Sequence, residues 1–270
     1  KNGTSAIYGD GVSSVIDMQT SNTIEREFSG GAGLNMINVD AFGKIPLGKK
    51  TALLLSARRS ITDFIETLTF DQYFKRIFQD TDLTTKGSNN FKSKDERFYF
   101  YDVTAKLLYN ISGKDKLRFN FLNIYNKIDY EEQSRKNDQN EILNSNLTQR
   151  NLATGIEYLR TWNPDFYTTA QLYLSNYALG ATNFDVLNNQ RLIQENEVFD
   201  GGLKLHFLYT INSNLSMIGG YQFAEVGISN LEDVNNPTFR RFIKEVIRTH
   251  AIFNEVKFSS NSNSTKAKIG

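Results

Sequence analysis

The sequence predicts an all-β fold, namely an antiparallel transmembrane β-barrel made of long strands. Three observations predict it. Apolar and polar residues alternate with a period of two, and short turns alternate with long polar connections along the chain. Tyrosine or tryptophan also recurs near the predicted strand ends, at Tyr101, Tyr109, Trp162 and Tyr209. These features together are typical of barrels whose tilted strands cross an outer membrane.

The alternation is clearest in YDVTAKLLY, residues 101–109, where Val103, Ala105 and Leu107 share one face between the two tyrosines. Four other stretches alternate in the same way: 116–121, 168–175, 202–209 and 215–223. A period of two belongs to strands and not to helices. No stretch approaches the ~18–20 apolar residues that a membrane helix needs, so the sequence predicts no helical span.

Composition excludes several classes of function. Lys and Arg number 31 against 30 Asp and Glu, a net charge of +1, which gives no electrostatic basis for binding nucleic acid. The absence of Cys excludes disulfides and thiolate metal sites. The two histidines, His206 and His250, have no Ser or Asp at a spacing that specifies a catalytic dyad or triad. We therefore expect no enzyme, no metal and no cofactor.

The predicted turns set the bounds of the predicted strands. Short turns are predicted at 48–50, 112–115, 163–165, 212–214 and 259–264. Strands are predicted at 51–61, 97–111, 116–132, 151–162, 166–186, 197–211, 215–230 and 248–259, with a last one beginning at 264. An antiparallel β-sandwich, in which each sheet has one solvent-exposed face, is an alternative, but several of these strands are far longer than the ~5–6 residues usual in sandwiches. A propeller would need four short strands per repeat of ~50 residues, and no such pattern is visible.

Two polar connections carry candidate ligand contacts. In residues 62–96, apolar side chains recur at helical spacing, which predicts a short amphipathic helix, and Tyr73 in this connection is a candidate contact. Residues 230–249 are predicted as a second long loop containing Arg240 and Arg241. That loop is interpreted either as a solvated helical turn or as a surface for an anionic ligand or lipopolysaccharide.

The opening residues carry a resemblance to a known family. SAIYGDGVSSVIDMQT, residues 5–20, resembles the end of the plug domain of TonB-dependent outer-membrane receptors. EFSGGAGLN (27–35) and GKIPLGKKTALLLSARRSITDFI (43–65) resemble the first barrel strands of such receptors from the Bacteroidetes lineage. The P-L-G-K-K turn and the R-R-S-x-T-D strand end carry that part of the likeness.

The resemblance implies a domain organisation. Residues 1–24 would be the C-terminal end of a plug domain, and residues 25–270 the N-terminal half of the barrel, with about 10–11 of about 22 strands. Residues 27–47 must then form a tight hairpin, 27–35 and 37–47, although the pattern alone would allow one long strand.

The resemblance also implies a function. It is energy-coupled import of an extracellular ligand such as a siderophore, a glycan, a cobalamin or a peptide, in the bacterial outer membrane. The implied partners are outer-membrane lipid, a TonB complex reached through an upstream segment, a small extracellular ligand and a surface lipoprotein. A structural barrel subunit of an envelope complex and a passive porin are the alternatives.

Candidate site residues follow from the resemblance and from the alternation of the strands. Tyr8, Gly9, Asp10 and Gly11 are predicted to form a turn at the plug–barrel junction, where glycine permits unusual backbone conformations, and Asp10 is a candidate partner of a barrel arginine. Arg58 belongs to the more polar set of its strand and is predicted to face the lumen, where it would pair with the plug or with an anionic ligand. Arg59, on the opposite face, is predicted to reach lipid headgroups.

Overall fold

The protein, seen in a computed structural model, is an antiparallel sheet of eleven strands whose spatial order follows the chain order. The structure describes residues 4–9, 15–65, 91–136, 139–185, 189–261 and 265–270. The strands are β1 (Ser29–Leu34), β2 (Asn38–Pro46), β3 (Thr51–Ser60), β4 (Phe91–Asn110), β5 (Asp115–Lys136), β6 (Gln139–Asn163), β7 (Phe166–Asp185), β8 (Gln190–Asn212), β9 (Leu215–Asn235), β10 (Thr238–Ser259) and β11 (Lys266–Ile269). Each strand pairs with the next, which is the arrangement of a β-barrel wall.

No helix within these described ranges is long and apolar enough to span a membrane.

The sheet has two chemically different faces. Residues that pair directly across strands share a face, so the row Lys44, Leu54, Lys106 and Asn120 marks one face. We call this the inner face, because the segment that precedes β1 lies on it. The opposite, outer face carries an apolar band whose side chains are exposed on the surface of the sheet. Leu172 is 58% exposed and Ile252 is 88% exposed.

The buried apolar side chains lie on the inner face, near the short turns. Among the described residues, the buried apolar side chains are Ala52, Leu108 and Ile218, and all three point inward. Leu108 pairs with Ala52 on one side and with Arg118 on the other. Arg118, 5% exposed, donates hydrogen bonds to three oxygens, which satisfies its buried charge. Among the described residues, the outer face contributes no such core.

The predicted hairpin and the predicted turns within the described residues are confirmed. β1 and β2 form the hairpin, with register pairs from Ser29–Lys44 to Leu34–Val39. The short connections lie at 47–50, 111–114, 164–165 and 213–214, whereas the fifth predicted turn, 259–264, includes residues 262–264, which lie outside the described part of the chain. The single continuous sheet of the described residues also decides against the sandwich and the propeller.

The predicted loop at 230–249 is wrong. β9 continues to Asn235 and β10 begins at Thr238, so Arg240 and Arg241 lie on a strand. Cross-strand pairs support the extension, since Arg240 lies opposite Asp233 and Phe242 lies opposite Leu231. The alternation is hidden in the sequence because, beyond the apolar band, each face mixes charged and apolar residues, such as Arg240 and Phe242 on the outer face and Arg241 and Ile243 on the inner face.

Other strand ends were predicted too short for the same reason. β5 continues to Lys136, β6 begins at Gln139, and β8 begins at Gln190. His250 accordingly lies well inside β10 and not at the start of a strand. The amphipathic helix expected within 62–96 falls largely at residues 66–90, which lie outside the described part of the chain.

A glycine in β8 tests the packing of the inner face. A Cβ atom at Gly202 would lie 2.5 Å from the carbonyl oxygen of Phe223 and 2.8 Å from the ring of Tyr173. Because the carbonyl belongs to the neighbouring strand, Gly202→Ala should lower the free energy of unfolding by about 1–3 kcal/mol. Urea unfolding in detergent, followed by circular dichroism of the strands, measures it.

Gly180→Ala is the matched control, because a Cβ atom there meets nothing within 4 Å. It should change the stability by less than about 0.5 kcal/mol. Equal effects of the two substitutions would contradict the packing argument.

Candidate functional site

The candidate site is the contact between the inner face and the segment that precedes β1. We call this segment, described at residues 4–9 and 15–28, the inner segment. The side chains of the sheet that hold it include Glu255 of β10, Gln222 of β9, Lys106 of β4 and Lys44 of β2. The inner segment therefore contacts strands near both margins of the sheet.

Glu255 makes the most buried of these contacts. Its side chain is 1% exposed. The backbone N–H of Ala6 donates to Oε2 over 2.8 Å, and the hydroxyl of Ser5 donates to Oε1 over 3.2 Å. Lys257 and Lys268 form ion pairs with the same carboxylate at 3.2 and 3.7 Å. A buried carboxylate needs such partners, so Glu255 ties the inner segment to two cations of the wall.

A short 3-10 turn, Ala6–Tyr8, is the part of the inner segment that Glu255 holds. Gln222 Nε2 donates to the carbonyl of Ile7 over 2.7 Å, so the turn is gripped from two neighbouring strands. The turn ends at Gly9, whose φ of +71° lies in the left-handed region that favours glycine. Of the four predicted junction residues, Tyr8 and Gly9 lie in or next to this turn, whereas Asp10 and Gly11 lie outside the described residues, and the plug–barrel junction stays a prediction.

Two lysines hold the later part of the inner segment. Lys106 Nζ donates to the hydroxyl and the carbonyl of Thr20, over 2.8 and 3.1 Å. Lys44 Nζ lies 2.7 Å from Glu25, which also accepts from the hydroxyl of Ser29. The hydrogen bond from Lys44, and next that from Ser29, lowers the pKa of the Glu25 carboxyl below its usual value. The pair is half-exposed, so solvent weakens it.

Arg58 lies on the inner face but is engaged within the wall. Its Nε donates to Asp102 over 2.6 Å, and its guanidinium lies 5.5 Å from the ring centre of Phe100. Asp40 stands opposite Arg58 on β2. The pairing of Arg58 with the segment before the barrel, or with a ligand, stays a prediction.

The other predicted ligand contacts lie apart from the inner segment. Arg240 is on the outer face of β10, with Nε 3.8 Å from Asp233, and Arg241 lies opposite Glu232. Tyr73 lies outside the described residues. The structure therefore does not gather the predicted residues into one site.

The histidines do not form a common site either. His206 lies on the inner face, whereas His250 lies on the outer face, where its Nδ1 is 2.8 Å from the hydroxyl of Tyr221. Within the described ranges, no three acidic or histidine side chains cluster as a metal ion requires.

Glu255, Gln222, Lys106 and Lys44 were not singled out from the sequence. Each is a polar residue at an inner-facing position of an alternating strand, which is a signal that many residues share. Their partners are up to 250 residues away in the chain, and spacing carries no information over such a separation. Only the register of the whole sheet brings them together.

Comparison with known proteins shows the fold. No protein-family model matches the chain, and no curated protein matches it. Among solved structures, it is similar to the ferric yersiniabactin uptake receptor FyuA from Yersinia pestis, with a TM-score of 0.50 and 10% identity over 86% of this chain. The chain spans 38% of the length of that receptor chain. The likeness shows that the eleven strands share the fold of part of a β-barrel receptor.

Substitution of Glu255 tests how the inner segment is held. Glu255→Gln removes the charge that accepts from Ala6 and Ser5 and that faces Lys257, so docking of the turn should weaken by about 2 kcal/mol. The 270 residues contain no Cys, so a cysteine placed at Ala6 reports the release. Its rate of thiol labelling should rise by about tenfold or more.

Glu225→Gln is the matched control. Glu225 pairs with Arg248 at 2.6 Å on the outer face of the adjacent strand, away from the inner segment. The labelling rate should stay unchanged in this variant. An equal rise in both variants would mean that general loosening of the sheet, and not Glu255, explains the release.

The Glu25–Lys44 pair predicts a pH dependence. Since the folded pKa of Glu25 is lowered, the stabilisation is complete above the ordinary Glu pKa of about 4.3 and is lost as pH falls through the lowered pKa. A fluorophore on a cysteine at Ser21 should therefore gain rotational freedom below about pH 4. Anisotropy measures it.

Glu25→Gln should abolish this transition, because it removes the titrating group. Glu27→Gln, two residues further on, should preserve it. A transition that survives in Glu25→Gln would assign the pH dependence to another group.

Proposed function

We propose that this chain is the plug end and the first part of the barrel of a TonB-dependent outer-membrane receptor, which imports an extracellular ligand in an energy-coupled way. One observation carries the proposal: a chain segment lies on the polar inner face of a sheet whose outer face is apolar. A passive channel has no need for a segment bound across its inner wall. Residues 1–24 would be the end of the plug and residues 25–270 the barrel.

The outer face supports a place in a membrane. Tyr109, Trp162 and Tyr209 flank the apolar band toward the short turns, and Tyr101 and Tyr125 flank it toward the other end. Aromatic girdles of this kind mark the two interfaces of outer-membrane barrels. Outer-membrane lipid is accordingly the first partner that we assign.

The strand lengths support an extracellular binding function. Strands β4 to β10 contain 20 to 25 residues, whereas a tilted strand crosses a bilayer with about 9–11. The strands thus extend far beyond the apolar band at the end opposite the short turns. A small ligand or a surface lipoprotein would be met there, with Arg58, Tyr73, Arg240 and Arg241 as the candidate contacts.

The nature of the inner contacts supports a movable plug. Hydrogen bonds and ion pairs join the sheet to the inner segment, and among the side chains that make them Gln222, Lys106 and Lys44 are not fully buried. Such contacts can break one at a time when a TonB complex pulls on the chain. We propose transport and not catalysis as the activity.

Depletion of compounds from the medium tests the proposal and requires no choice of ligand. Cells that carry the protein, cells that lack it, and cells that carry it but lack TonB are compared by mass spectrometry of a complex medium. Energy-coupled import predicts a compound that only the first strain removes. Removal that persists without TonB would indicate a passive porin, and no difference among the strains would indicate a structural barrel subunit.

A further inference from the structure

Four residues form one row across the outer face, at the end of the apolar band that lies away from the short turns. Arg59 of β3 pairs with Tyr101 of β4, Tyr101 pairs with Tyr125 of β5, and Tyr125 pairs with Arg150 of β6. Three interstrand steps of about 4.8 Å separate the Cα atoms of the two arginines by about 14 Å. We call these residues the arginine–tyrosine row.

The tyrosines form a platform between the two cations. The rings of Tyr101 and Tyr125 stack with centroids 5.3 Å apart and planes at 20°, and Tyr99 meets both edge-on at 6.0 Å. The guanidinium of Arg150 lies 5.6 Å from the ring centre of Tyr125, and that of Arg59 lies 5.1 Å from that of Tyr99. A guanidinium held over a ring keeps its N–H groups free to bind an anion.

The two arginines differ in their charge surroundings. Arg59 donates to Asp63 over 2.7 Å and also lies over Phe64. Arg150 is exposed and has no carboxylate partner among the residues that the structure describes. The nearby Lys127 of the outer face is paired with Asp129 at 2.7 Å. Arg150 is therefore the main anion-binding group of the row, and Arg59 is the weaker second one.

The row borders an apolar surface on the same four strands. Ala57, Val103 and Leu152 continue the outer face toward the short turns, with the polar Asn123 between Val103 and Leu152 and with Phe121 next along β5; Leu152 is 46% exposed. A molecule seated here would meet two cations and an aromatic platform with its head, and an apolar face with its tail. That combination matches an amphiphile whose headgroup carries anions on a sugar.

We propose that the arginine–tyrosine row binds the headgroup of an anionic glycolipid of the outer leaflet. A phosphate binds Arg150, a second anionic group reaches Arg59, and a sugar ring lies on Tyr101 and Tyr125. The acyl chains lie along the apolar band below. This inference rests on the proposed place of the protein in an outer membrane.

Binding of a bisphosphorylated disaccharide lipid to the full-length protein in a neutral detergent tests the inference, with native mass spectrometry as the readout. Arg150→Gln should weaken binding about tenfold, the value of a charge-assisted hydrogen bond, and Arg150→Lys should retain most of it. Enzymatic removal of both phosphates from the lipid should weaken binding to the unsubstituted protein by at least as much.

Arg160→Gln is the matched control. Arg160 lies on the same strand and the same face, 4.4 Å from the ring centre of Trp162 and 3.2 Å from Asp115, but at the opposite end of the band. It should leave binding unchanged. Unchanged binding in Arg150→Gln, or an equal loss in Arg160→Gln, would overturn the assignment.

Folding and transport are separated from lipid binding by two further measurements. Circular dichroism establishes that each variant retains the sheet, and Arg150→Lys shows that the site tolerates substitution when the charge is kept. Failure of medium depletion together with specific lipid binding would reject the import function and leave the lipid site standing. Depletion of a compound from the medium without specific lipid binding would support the import function and reject the lipid site.

Discussion

Every backbone amide and carbonyl that faces lipid must find its partner within the protein, because the hydrocarbon offers none. Between paired strands of the sheet this requirement is met, because each strand pairs with the next in chain order. Pairing of this kind forces side chains to alternate between two faces. Apolar residues such as Leu172 and Ile252 then collect on the outer face, and charged residues such as Lys106 and Glu255 are left for the inner one. The polar wall that holds the inner segment is thus a consequence of how the backbone is satisfied.

The contacts of the inner segment are uneven in strength. Glu255 is buried, carries a full charge and accepts from a backbone N–H of the segment, so its loss would leave the two lysines that face it unbalanced. The Glu25–Lys44 pair is more exposed and is correspondingly weaker. The segment is therefore held firmly at the Ala6–Tyr8 turn and more loosely near β1.

The sequence predicted the fold well where a membrane-like pattern applies and poorly beyond it. The positions of the short turns follow from the interruption of the alternation by glycine and asparagine, whereas the hairpin of β1 and β2 followed from the family resemblance, since the pattern alone allowed one long strand. The outer ends of β9 and β10 were missed because each face mixes charged and apolar residues there, so hydropathy shows no clear period of two. The candidate site was found only in part. Tyr8 and Gly9 form a turn, but Glu255 and Gln222 depend on a register that no local pattern specifies.

The Ala6–Tyr8 turn also bears on the order in which the molecule assembles. Pairing of neighbouring strands closes comparatively short stretches of chain, since each strand pairs with the next along the chain. The turn instead forms its contacts with distant residues. Glu255 lies 249 residues beyond Ala6 in the chain, and Gln222 lies 215 residues beyond Ile7. Contacts across such distances carry the largest loop-closure entropy and form late. The first residues of the chain are therefore among the last to reach their places, after the wall that receives them has been built through β10.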